Sequence, residues 1–86
     1  MDITDYRNEI DRIDEELVRL FTKRLAVCDK IAEYKKEHGL AIHDEKRERE
    51  KLAVIRNLAG DDAGEELTIE LFEKIMELSV RRQETK

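Results

Sequence analysis

The sequence predicts an all-α protein of three helices per chain, the first of them very long, and three observations carry that prediction. Apolar residues recur at steps of three and four along most of the chain, the signature of amphipathic helices. Proline is absent and glycine occurs only three times in 86 residues, which leaves too few turn residues for a sandwich of short strands. No segment alternates with the two-residue period of a half-buried strand.

The first helix is marked by Ile3, Tyr6, Ile10, Ile13, Leu17, Leu20, Phe21, Leu25, Cys28, Ile31 and Ala32. Thr4 or Asp5 is expected to cap its start, and Gly39 after His38 is expected to end it in the left-handed conformation. The spacing predicts about 33 residues and about 50 Å of helix, two to three times the usual length in a globular protein. The rest of so short a chain cannot cover such a stripe. The long helix therefore calls for a partner helix, most simply the same helix of a second copy. Leu40-Ala41-Ile42-His43 reads as a connection with Leu40 and Ile42 tucked inward, and His38 and His43 both read as loop residues.

A second helix is expected after the N-cap Asp44, with Leu52, Ala53, Ile55, Leu58 and Ala59 as its apolar face and Gly60 at its end. Gly60-Asp61-Asp62-Ala63-Gly64 is the clearest linker. A third helix is expected from about Glu65 to Gln83, turning Leu67, Leu71, Phe72, Ile75, Met76, Leu78 and Val80 mostly inward. Glu65 and Glu66 suit its positive end and Arg81 and Arg82 its negative end. One domain over residues 1–86 is the expectation.

Composition removes several function classes. Seventeen Lys and Arg against 22 Asp and Glu leave a formal charge of −5, which disfavours nucleic acid as a partner. No apolar run approaches the roughly 20 residues that span a bilayer, and the acidic start lacks the apolar core of a signal peptide. The single cysteine, Cys28, fits a reducing cytoplasm and reads as a small core residue. His38 and His43 lack metal-ligand spacing, so no metal site is expected on them. No Gly-rich phosphate loop and no Ser-His-Asp or Cys-His motif is present.

The informative polar residues lie on or beside the apolar stripes. Arg24 and Lys35 differ by three turns, so they project from one face about 16 Å apart and can close around one anion. Arg7 lies about 25 Å from Arg24 along the same helix. If Arg7 serves that site, it must come from a second chain. On the second helix Asp44, Arg47 and Glu48 share the first turn at i, i+3 and i+4, and on the third Ser79 and Gln83 stand at i, i+4. Taken singly, each set also fits an ordinary solvated helix face, cap or fraying end.

Together these residues resemble the all-helical AroQ class of chorismate mutase. The resemblance runs from Arg7 to Gln83, through Arg7-Asn8-Glu9-Ile10-Asp11-Arg12-Ile13-Asp14, Thr22-Lys23-Arg24-Leu25-Ala26 and Ile31-Ala32-Glu33-Tyr34-Lys35. It continues through Asp44-Glu45-Lys46-Arg47-Glu48-Arg49-Glu50 and the closing Ser79-x-x-x-Gln83. One departure is Asp61-Asp62-Ala63-Gly64, which lacks the Leu-Asp-Pro-like start that many members show before the third helix. The resemblance implies an intertwined homodimer whose two sites each borrow an arginine across the interface. It also implies conversion of chorismate to prephenate on the route to phenylalanine and tyrosine, without a cofactor.

By the same resemblance, Arg24 and the partner subunit's Arg7 match the positions that pair with the two carboxylates of chorismate. Lys35 and Gln83 match the donors to the ether oxygen, and Glu48 with the backbone near Asp44 matches the position that takes the ring hydroxyl. Arg47 and Ser79 match supporting contacts on the ring-carboxylate side. Two alternatives stay open: an isochorismate pyruvate-lyase on the same scaffold, and a non-catalytic helical dimerisation module.

Overall fold

A computed structural model describes residues 2–60 and 64–85 of the chain. All the regular structure among the described residues is helical, in the order α1 (Ile3–His38), α2 (Glu45–Ala59) and α3 (Gly64–Glu84). Asp61, Asp62 and Ala63, the middle of the expected linker, lie outside the described residues, and with them the question of how α3 is entered.

The 36-residue α1 begins two to three residues earlier than a cap at Thr4 or Asp5 would place it. Asp2 is the N-cap: its carboxylate accepts the backbone N–H of Asp5 at 3.0 Å. The Asp5 carboxylate returns the contact to the backbone N–H of Asp2 at 3.2 Å, closing a reciprocal capping box. Asp5 is therefore the third residue of the helix rather than its cap. At the other end Gly39 takes φ 64° and ψ 32°. The N–H of Leu40 reaches back to the Lys35 carbonyl at 2.8 Å, so two of the last carbonyls are satisfied around a left-handed residue. His38 is the last helical residue and not a loop residue; its Nδ1 contacts the Tyr34 carbonyl at 2.8 Å. Its ring stacks on Tyr34 at 4.0 Å between centroids.

Asp44 caps α2 as expected, accepting from the Arg47 backbone N–H at 3.0 Å. Gly60 ends it at φ 79°. Thr68 turns its hydroxyl back on the Gly64 carbonyl in the first turn of α3 (2.8 Å).

The shared element is α3, packed against α1 on one side and α2 on the other. Side-chain contacts give the directions. Asp29 on α1 pairs with Arg82 on α3, and Lys35 with Gln83, so the C-terminal half of α1 runs alongside α3 in the same sense. Arg56 near the end of α2 meets Glu65 and Glu66 at the start of α3, so α2 runs antiparallel to it. The Arg82–Asp29 contact is bidentate, at 2.7 and 3.0 Å, and holds the guanidinium above its usual range by hydrogen bonding and charge attraction. Arg56 is raised in the same way, first by its hydrogen bond to Glu66.

The core is small: Cys28 and Ala32 from α1, Ile55 from α2, Ile69 and Met76 from α3. Several expected inward residues are not in it. Leu67 and Leu71 on α3, Ala53 and Leu58 on α2, and Leu40 in the connection are exposed. The inward stripe of α3 is instead Ile69, Phe72, Met76, Ser79, Gln83, spaced by threes and fours. Ile69 is missed by a reading that follows the leucines, and the stripe turns polar as it approaches Lys35.

Every described residue from 2 to 20 is exposed, including Ile3, Tyr6, Ile10, Ile13, Leu17 and Leu20. The chain measures 54 × 26 × 15 Å with a radius of gyration of 16.0 Å, against about 12 Å for a compact chain of this length. Its surface of 7011 Å² exceeds the roughly 5,300 Å² of a compact monomer of this mass. Among the described residues no helix is long and apolar enough to cross a membrane.

Candidate active site

A cleft of about 370 Å³ opens where the C-terminal half of α1, the start of α2 and the end of α3 converge. Helical spacing delivers its walls: Arg24, Val27, Ile31 and Lys35 from α1, Asp44, Arg47, Glu48 and Lys51 from α2, and Met76, Ser79, Val80 and Gln83 from α3. Seven of the eight residues singled out from the sequence therefore share one cavity: Arg24, Lys35, Asp44, Arg47, Glu48, Ser79 and Gln83. The eighth, Arg7, is exposed near the start of α1 and does not line it. Tyr34 does not line it either. Seven further residues line it that the sequence reading did not place there: the apolar Val27, Ile31, Ile42, Met76 and Val80, the cation Lys51, and Cys28, which is both core and cleft wall.

One end is organised by Lys35. Its Nζ donates to the Ile42 carbonyl at 2.6 Å and to the Gln83 Oε1 at 3.1 Å. An ammonium has three N–H groups, so one remains for a ligand. Lysine has only donors, which makes Gln83 present its carbonyl oxygen to Nζ and keeps its amide N–H₂ for another acceptor. Gln83 is buried, and no buried side-chain polar atom among the described residues lacks a partner.

Toward the other end, Arg24 Nη1 donates to the Ser79 Oγ. Ser79 in turn donates to the Ile75 carbonyl at 2.8 Å, one turn back on its own helix. Its hydrogen is thereby committed, and what Ser79 offers Arg24 is an oxygen lone pair that fixes the guanidinium.

Glu48 stands on the wall between this cleft and a smaller neighbouring hollow that His43 also lines. His43 Nε2 lies 3.1 Å from the Glu48 Oε2, with no contact from the described residues to the other carboxylate oxygen. The lining holds four cations, Arg24, Lys35, Arg47 and Lys51, against the carboxylates of Asp44 and Glu48. A surplus of two positive charges inside a protein of net charge −5 marks a concave site suited to a small dianion. Among the described residues no three His, Cys, Asp or Glu side chains gather as a metal site needs.

An all-helical fold with cationic side chains from two helices and polar side chains from the third closing on one cleft defines a small-anion site of the helical-bundle type. The sequence profile of the family described as "Chorismate mutase type II" matches residues 6–84, and the chain belongs to that family. It is similar to the T-protein of Haemophilus influenzae, 35% identical over 79 residues, which cover 92% of this chain and 20% of that protein. It resembles the bifunctional chorismate mutase/prephenate dehydratase of Aquifex aeolicus, 45% identical over 49 residues, 57% of this chain and 14% of the relative. The chorismate mutase of Methanocaldococcus jannaschii is 29% identical over 76 residues, 87% of this chain and 77% of the relative. The chain thus spans a fifth or less of the first two relatives and about three quarters of the third. No solved structure matches it significantly.

Proposed function

We propose that residues 1–86 form a single chorismate mutase domain that rearranges chorismate to prephenate, in the biosynthesis of phenylalanine and tyrosine. The observation that supports this most is the gathering of Arg24, Lys35, Glu48 and Gln83 around one cleft with the donors of Lys35 and Gln83 left over for a ligand. The substrate carries two carboxylates, a ring hydroxyl and an enolpyruvyl ether. Its rearrangement is unimolecular and pericyclic: the ether C–O bond breaks while the enolpyruvyl methylene bonds to the ring. Such a step calls for no nucleophile, metal or redox cofactor.

What the protein supplies is conformation and charge. Arginines paired with the two carboxylates hold the enolpyruvyl arm over the ring, removing rotational freedom before reaction. Negative charge grows on the ether oxygen as its bond to the ring breaks. The remaining N–H of Lys35 and the amide of Gln83 are the donors for it, and because they are preset they stabilise the transition state more than the ground state. Glu48 takes the ring hydroxyl beside Asp44. Arg47 supports the ring-carboxylate side, and Ser79 acts there through Arg24.

The working molecule is a homodimer. The exposed stripe Ile3, Tyr6, Ile10, Ile13, Leu17, Leu20 runs on in the same helical register into Arg24, Val27 and Ile31 of the cleft wall. A second copy laid along that stripe reaches the cleft edge and brings its own α1 with it. Arg7 of the partner subunit then completes the cation set. The excess surface, about 1,700 Å² per chain, is the area that an obligate dimer of this kind buries. The lone cysteine suits the cytoplasm.

The purified protein should consume chorismate and release prephenate, followed as loss of chorismate absorbance. Salicylate and pyruvate formed from isochorismate, with chorismate untouched, would assign the scaffold to a pyruvate-lyase instead. Inertness toward both would leave a dimerisation module.

A further inference from the structure

Lys51 belongs to the cleft and has no role in the scheme above. It lies on α2 at i+3 from Glu48, i+4 from Arg47 and i+7 from Asp44, on the face that lines the site. It is half-buried, yet no carboxylate among the described residues pairs with it. Its neighbouring acid on that face, Glu48, is engaged by His43. A lysine left to itself on a helix surface extends its ammonium into water. Here the side chain is half-buried and lines a concavity that already holds three other cations, an arrangement that costs free energy until an anion enters.

The register says which anion. Because α2 runs antiparallel to α3, the seven residues from Asp44 to Lys51 carry the chain about 10 Å away from the Lys35–Gln83 end. That is the rise from Gln83 back to Met76 on α3, and both Lys51 and Met76 line the cleft. Lys51 therefore stands toward the end where Arg24 is held on Ser79. We propose that Lys51 is a substrate-binding residue that, with Arg24, holds one of the two carboxylates of the dianion. The assignment rests on the chorismate mutase reading and adds a second cation from the same chain at that end.

The test uses the full chain. Lys51→Met keeps the stem and removes the charge, Lys51→Gln removes it with a polar end, and Lys51→Arg keeps it. A charge-assisted contact to a carboxylate is made equally in ground and transition states, so its loss appears in KM. Both neutral variants should raise KM for chorismate roughly 10-fold with kcat within about twofold, and Lys51→Arg should stay near the parent. The KM gap should narrow as salt rises. Inhibition by prephenate, which keeps both carboxylates, should weaken in parallel. Unchanged KM in both neutral variants, or a loss confined to kcat, while the parent turns over chorismate, overturns the Lys51 assignment alone. A parent chain inert toward chorismate overturns the reading beneath it and this inference together.

Discussion

Gln83 presents its carbonyl oxygen to Lys35 and so keeps a neutral amide donor for a ligand. An amide does not titrate, so kcat should stay roughly flat from pH 5 to 8; a steep loss across that range with the fold intact would remove Gln83 from the donor role. Gln83→Glu should lower kcat at neutral pH by on the order of 100-fold, because a carboxylate beside an ammonium is ionised and can only accept. The sign follows: activity should return toward acid pH, where the carboxyl takes up the proton it needs to donate. Lys35→Ala should lower kcat by on the order of 100- to 1,000-fold, the scale of losing one preset donor to a developing anion. The dimer should survive, since Lys35 contacts Ile42 and Gln83 of its own chain; near-normal turnover would exclude lysine from the mechanism. At this scale the sequence was informative about residue type and silent about partners. That Ser79 commits its hydrogen to Ile75, or that His43 reaches Glu48, depends on rotamers that no spacing rule specifies.

Helix ends and inter-helix clamps set the cleft's shape. Gly39 sits at φ 64° with open space where a Cβ would stand. Gly39→Ala should therefore cost only the backbone strain of a left-handed residue, about 1 kcal/mol, read as a lower urea midpoint with the same slope. The Arg82–Asp29 fork ties α3 to α1 next to Gln83. Arg82→Met should lower Tm, by less at high salt because the pair is partly exposed. A guanidinium raised above its usual range is charged in both folded and unfolded chains throughout ordinary pH. Its contribution is thus present at neutral pH and is lost as pH rises through the folded-state value. Helix existence and spacing were legible from the three-and-four pattern and from Asp44, Gly39 and Gly60. The start of α1 was not, because Asp2, Thr4 and Asp5 are all good caps and only the reciprocal contact between Asp2 and Asp5 selects the first. The burial of Ile69 in place of Leu67 and Leu71 reflects which face α1 and α2 leave for α3.

The single chain is an extended body with a bare apolar stripe at one end and a cleft lacking Arg7 at the other. In the proposed homodimer two subunits complete both, which makes a complementation test possible. Arg7→Ala and Arg24→Ala should each abolish most activity alone. Mixed and refolded together, half the dimers are mixed by chance, and each carries one intact site and one doubly damaged site. About a quarter of the parent activity should return for a closed twofold dimer; no recovery would show that Arg7 does not act across chains. Ile13→Asp with Leu17→Asp should give monomers in sedimentation and remove activity, although neither residue lines the cleft.

Taken alone, the sequence determined the helical class, the approximate lengths, and seven residues that meet in one cleft. The class and the lengths follow from local periodicity and from the fixed rise of a helix, which needs no knowledge of neighbours; that the seven belong together was implied by the family resemblance. The tertiary structure decided which face of α3 turns inward, that Lys51 stands with the other cations, and how Lys35, Gln83, Arg24 and Ser79 divide their donors. These depend on how three helices cross and in which direction each runs, and helical periodicity is the same whichever way a helix points.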